Sequence, residues 1–380
     1  MNTTWKVICA AVQASLFHKT ISLPDKIDWD DVFTEASKQA IASLVRDGVK
    51  NQLAPSLAMQ WKLYSIQEIS NSVQLLEAQK ELTGLLDDHG IKHVILKGSA
   101  AAIYYPEPYF RSMGDVDFWV PKDQFGGCLQ LLRENEYTED KGSDDRHIKL
   151  RKCSILFEMH RYFSSEGRQK PVDDYIERAL FVRGRIKGSE FWMLPEQENG
   201  LVLLCHIHQH LIEGLGLRQI IDWMMYVHTC LDEEGWEKFK PYAQELGLEK
   251  LALATTRLCV LYFGLEVEWC GENDRAADML LENIIQSGNF GHVHGRGRDV
   301  ERVMINVKRQ GLFHYLQKAG EFNWKETLRV RPWLRPMAWI YQIFRYAGQA
   351  KSSGRTGETL RNDMKRSGER YELLKELELL

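Results

Sequence analysis

Ile95–Val120 reads ILKGSAAAIYYPEPYFRSMGDVDFWV, and here helical patterning gives way to short apolar runs that end in charged residues. HVILKG (93–98) is a brief apolar run closed by Gly, which predicts a strand. Ser99–Tyr105 can start a helix behind it. Small residues after Lys97 let backbone N–H groups approach phosphate oxygens, and a helix N-terminus favours negative charge there. Val116–Val120 is a second strand. Side chains two apart on a strand share a face, so Asp115 and Asp117 are expected side by side. Two adjacent carboxylates repel unless a cation bridges them. A solvated loop is the other reading of so short a motif.

Working outward, Gln124–Glu134 predicts a helix that covers the sheet. Cys153–Phe163 (CSILFEMHRYF) predicts a third strand, with Glu158 and His160 entering an apolar run on one face. A buried Glu158 needs a partner. A cation shared with Asp115 and Asp117 supplies one, and an ion pair with Arg111 or Arg161 supplies another. Phe181–Leu194 predicts a β-hairpin around Lys187 and Gly188. Upstream, Trp29–Val49 and Met59–Asp88 show helical spacing, with a stop at Gly90. Downstream, helices are expected from Pro195 through Leu211, from Leu217 to Leu231 and onward to about Leu265. The expected fold is α+β. A small mixed-sheet core (91–194) lies between an N-terminal helical segment (1–90) and a helical domain (195–295), followed by a basic helical segment (296–380).

The 380 residues carry a net charge of -4, 44% hydrophobic and 27% charged residues, which suits a soluble globular chain of more than one domain. No apolar run approaches the ~18 residues of a membrane helix. Lys6 followed by VICAAVQASLF imitates a signal peptide, but Gln13 interrupts its apolar core. Seven scattered cysteines without a CxxC pair predict reduced core thiols and a cytoplasmic location. The charge is unevenly spread. Residues 296–370 hold 17 Lys+Arg against 7 Asp+Glu, a net of +10, and leave -14 for the remainder.

Lys97, Gly98, Ser99, Arg111, Asp115, Asp117, Glu158 and His160 together resemble the nucleotidyltransferase superfamily typified by DNA polymerase beta. More closely, they resemble its uncharacterised bacterial nucleotidyltransferase family. His147 before the third strand matches a further His of that family. His206, His210, Arg218 and Asp222 match its downstream helical pattern. The third acid is Glu where Asp is commoner. The resemblance spans roughly residues 30–230. It implies that Asp115, Asp117 and Glu158 are catalytic and hold one or two Mg²⁺ ions, or Mn²⁺ in their place, on a nucleoside triphosphate such as ATP. Gly98 and Ser99 would cradle the β- and γ-phosphates, and Lys97 and Arg111 would offset their charge. A nucleoside monophosphate would pass to an acceptor hydroxyl or phosphate. The alternative is a nucleotide-binding regulator without turnover, as in a toxin–antitoxin or polysaccharide locus.

On a helix His206 and His210 share a face while His208 points away, so two ligands do not close a zinc site. These histidines, with Arg218 and Asp222, can line a cleft facing the sheet and bind base, ribose or acceptor. They can equally join two domains, and Arg218 and Asp222 stand at pairing distance on one helix. Arg329–Ala350 interleaves arginines with aromatics. That pattern suits a helix packed on the acidic body, a nucleic acid or an anionic membrane surface. Gly291–Asp299 (GHVHGRGRD) is expected to be a loop, and residues 351–357 a flexible link.

Overall fold

The computed structural model describes residues 1–140, 146–163, 170–287, 305–308, 310–352 and 357–380. The expected loop at 291–299 and most of the expected link at 351–357 lie outside them. The chain is α+β, with one five-stranded mixed sheet among helices. Four helices precede the sheet: α1 (Thr3–Phe17), α2 (Trp29–Lys38), α3 (Ala42–Val49) and α4 (Pro55–Asp88). The expected single helix at 29–49 is divided. Ala40 takes a left-handed φ of 56°, and the buried Gln39 beside it faces inward. Its Oε1 accepts from Leu217 N at 2.8 Å and its Nε2 donates to the Ile284 carbonyl at 3.2 Å. One side chain thereby ties the first helices to much later ones.

The strands are β1 (Val94–Leu96), β2 (Val116–Trp119), β3 (Thr138–Glu139), β4 (His147–Lys152) and β5 (Ile155–His160), ordered β1-β2-β5-β4-β3. β2 and β5 are parallel and central, and the other pairings are antiparallel. β3 and β4 were not expected, and the third strand starts later than its apolar run suggests. Cys153 and Ser154 form a two-residue turn between β4 and β5, with Cys153 at φ 53°. The hairpin expected at 181–194 shrinks to one bridge, Gly184 with Met193. Met193 also bridges Ile95, so this stretch shields the β1 edge instead of forming its own ladder.

The sheet has two unlike faces. Ile95, Val116, Phe118, Leu150, Phe157 and Met159 pack with Leu82 and Leu86 of α4 and with Cys128 and Leu132 of α6 (Phe125–Glu134). The other face bears Val94, Leu96 and Trp119 at one end and charged residues at the other. It meets helices α8 (Glu196–Glu213) and α9 (Leu217–Cys230), reached after α5 (Gly98–Ala102) and α7 (Pro171–Ala179). Gly200 permits the α8–α9 approach. A Cβ there would come within 2.3 Å of the Tyr226 ring. α10 (Glu233–Glu245), α11 (Glu249–Phe263) and α12 (Asp274–Ser287) complete this side. The larger apolar core runs from Val7, Ile8 and Val12 of α1 through α8, α9 and α11 to Leu373 and Leu377. The signal-like N-terminal stretch is therefore a core helix, with Val7, Ile8, Ala11 and Val12 fully buried. None of the described helices is long and apolar enough to cross a membrane.

Candidate active site

Register sets the centre of the site. Asp117 on β2 pairs directly with Glu158 on β5, and Glu158 pairs with Lys149 on β4. Directly opposed residues on neighbouring strands project to the same face, so three charged side chains stand in a row. His160 and His147 follow on that face, and their rings lie 5.4 Å apart.

Lys97 enters from the turn after β1. It takes φ 50° and ψ -138°, and Gly98 takes φ 32°. Such a backbone costs a lysine about 1–3 kcal/mol and persists because its surroundings hold it. The result is an ammonium 2.7 Å from Asp117 Oδ1. His160 Nε2 reaches the same oxygen at 2.7 Å and lies 3.8 Å from Glu158 Oε2. Lys149 Nζ lies 2.9 Å from Glu158 Oε1. The Phe163 ring closes one side, 5.5 Å from Lys97 Nζ.

The charges adjust one another. Burial disfavours an ammonium at Lys97, yet Asp117, Glu158 and Asp115 together hold its pKa above the ordinary lysine value. Burial likewise opposes ionisation of Asp117, but Lys97 and His160 outweigh it and hold the carboxyl well below the usual range. Asp115 goes the other way. Burial first, then the Asp117 charge, push it up to about 7.

The donor atoms of Asp117, Glu158 and His160 lie within 4.8 Å of one another, a spacing that can hold a metal ion. Two carboxylates and an imidazole are a suitable donor set for a divalent cation, and the buried Lys97 ammonium shows that the pocket already stabilises positive charge. The expected trio was Asp115, Asp117 and Glu158. The structure groups His160 with the latter two, while Asp115 stands just before β2, close enough to feel both charges.

Four other expected site residues have partners of their own within the chain. Arg111 forms a buried two-pronged pair with Asp222, Nε to Oδ1 at 3.1 Å and Nη2 to Oδ2 at 2.7 Å. That pair holds its guanidinium against α9. Asp222 also accepts from the Tyr105 hydroxyl at 2.8 Å, and Arg218 donates to the Ser112 carbonyl at 3.0 Å. The expected pairing partner of Asp222 was Arg218, and Arg111 takes that place. The Ser99 hydroxyl turns to α4 and donates to Gln79 Oε1 at 2.6 Å, leaving only the backbone of the Gly98–Ser99 turn for a phosphate. Glu158 pairs with Lys149 rather than with Arg111 or Arg161, and Arg161 instead stacks over Phe125.

His206 and His210 on α8 complete the opposite wall, their Nε2 atoms 3.0 Å apart. Burial, followed by the charges of Lys97 and Arg218, lowers the His210 pKa to about 3. His206 is also well below normal, through burial and then His210. Gln209 of α8 donates to the Phe163 carbonyl just after β5, and both rings lie near enough to Lys97 and Asp117 to feel their charges. Lys149, Tyr105 and Phe163 are site components that the sequence reading missed. Alternation in HIKLRK was the available signal for Lys149.

A small mixed sheet with acids on paired central strands, a Lys-Gly turn beside them and a helical wall opposite is the arrangement of a nucleotidyltransferase. The model of the family described as uncharacterised nucleotidyltransferase matches residues 25–264, and the chain belongs to that family. The family makes it a transferase, with a nucleoside triphosphate as the implied substrate. No curated protein matches the chain.

Proposed function

We propose that the chain transfers a nucleoside monophosphate from a nucleoside triphosphate to a hydroxyl or phosphate acceptor, with Mg²⁺ or Mn²⁺ as the metal. The observation that carries this reading is the pairing of Asp117 with Glu158 on parallel central strands, with Lys97 at 2.7 Å from Asp117. Asp117, Glu158 and His160 would hold the cation, with Asp115 beside them. A divalent ion there offsets triphosphate charge and orients its oxygens. In the transfer the acceptor oxygen bonds the α-phosphorus, the bond to the β-phosphate oxygen breaks, and pyrophosphate leaves. A hydroxyl acceptor gives its proton to a carboxylate of the cluster.

The chain's own groups support that chemistry. Lys97 supplies a buried positive charge, and the Gly98–Ser99 backbone is free of bulky side chains. Arg111 is a positioning residue that fixes the loop before Asp115 to α9 through Asp222. His206, His210 and Arg218 wall the space opposite the carboxylates, where a nucleotide or acceptor would sit.

Incubation with each α-labelled triphosphate, Mg²⁺ or Mn²⁺ and a cell extract tests the proposal. Label transfer should occur and disappear in Asp117→Asn and Glu158→Gln. Transfer that survives both substitutions overturns it. Nucleotide binding by equilibrium dialysis without any transfer would instead support a regulatory nucleotide-binding protein.

A further inference from the structure

Two helices near the C-terminus, Leu312–Asn323 and Arg335–Ser352, pack against each other with polarity reversed. Part of their seam is small and polar, beside an edge-to-face contact of Phe313 with Trp339. Ala338 is fully buried over Gly320, where a Cβ would come within 3.0 Å of the Ala338 backbone. Gln342 is 1% exposed, and its Oε1 accepts from Asn323 Nδ2 at 2.9 Å. Outside lie Met337 at 56%, Ile340 at 53% and Phe344 at 70% exposure, residues spaced to share one helix face. Trp333 at 70% and Val330 at 74% extend it. Arg329, Arg331, Arg335 and Arg345 are exposed in the same stretch of chain, which lies within the segment of net charge +10, and Arg335 stands 3.4 Å from Glu321.

We propose that this helical pair docks on an anionic lipid surface. A water-soluble helix hides its apolar stripe, and this one hides an amide while presenting the stripe. An apolar face with exposed arginines in the same stretch matches the boundary between acyl chains and negative headgroups. Arginine stems lie along apolar surface while their guanidinium groups reach phosphate oxygens. Trp333 and Phe344 could stack on bases, but Val330, Met337 and Ile340, the majority of the patch, offer no stacking face, so single-stranded nucleic acid fits less well.

The full chain should co-sediment with vesicles of phosphatidylcholine and phosphatidylglycerol, and at least tenfold less with phosphatidylcholine alone. Met337→Ser with Ile340→Ser and Phe344→Ser should weaken binding at least tenfold. Arg329→Gln with Arg331→Gln and Arg345→Gln should do the same and remove most of the salt dependence. All six positions are exposed, so the far-ultraviolet circular dichroism of both variants should match the parent. Absence of sedimentation with anionic vesicles overturns the proposal, as does equal sedimentation with neutral ones. A dimer that the serine variant dissolves, with no vesicle binding by the parent, would assign the patch to a second copy and also overturn it.

Discussion

Asp117 and Glu158 face each other across two parallel strands, and each already has a lysine, Lys97 at 2.7 Å and Lys149 at 2.9 Å. Cations of the chain itself thus sit against both carboxylates. A divalent ion bound as proposed would compete with Lys97 for the same oxygen of Asp117. Lys97→Met should therefore bind Mn²⁺ at least tenfold more tightly in the absence of nucleotide, about 1.4 kcal/mol. The same variant should bind triphosphate more weakly. Calorimetry with each ligand separately checks the opposite signs. Weaker Mn²⁺ binding in Lys97→Met would mean that the ammonium arranges the site instead of competing for it.

The Arg111–Asp222 pair makes a different demand. It is a buried ion pair with a third bond from Tyr105, and removing one partner strands a charge. Such a loss costs about 3–5 kcal/mol. Asp222→Asn and Arg111→Met should each lower stability by that order in urea unfolding. The double variant should cost less than the sum of the two, because no lone charge remains.

Acid stability follows from the two histidines on α8. A histidine whose folded pKa lies below its unfolded value binds its proton more readily when unfolded. Stability is therefore complete above pH 6.5 and falls as pH drops toward about 3 for His210, with His206 acting in the same direction. Asp115 acts oppositely. Its folded pKa of about 7 exceeds 3.8, so its unfavourable contribution fades as pH falls from about 7 to about 4. The double variant His206→Gln, His210→Gln isolates the first effect. Its unfolding midpoint should fall less steeply than the parent's between pH 6.5 and pH 4.5.

The site strands were legible as short apolar runs, the first ending at Lys97 and the others interrupted by Asp117 and Glu158. Most helices around them were legible from spacing and from Pro and Gly punctuation, but α7 went unread and the break at Ala40 was missed. β4 was not legible, for a physical reason. HIKLRK alternates, but its neighbour β3 is only two residues long, and its turn uses Cys153 and Ser154 instead of the Asn-Gly pair that marks such turns. The partners of Arg111 and Glu158 were beyond sequence reasoning. Position along the chain does not tell which of several cations a fold will bring to a carboxylate. His160 was read as sharing a face with Glu158, but its contact with Asp117 depends on strand register, which only the fold supplies.

The β4–β5 hairpin gives the site a second role, during folding. Slipping the pairing by one residue would set Ile148 or Leu150 opposite Glu158 and turn Lys149 toward Phe157, Met159 and the leucines of α6. That arrangement would maroon a carboxylate beside an aliphatic chain and an ammonium in oil, each at a cost of several kcal/mol. The charges that await a substrate thus also proofread the assembly of the sheet that carries them.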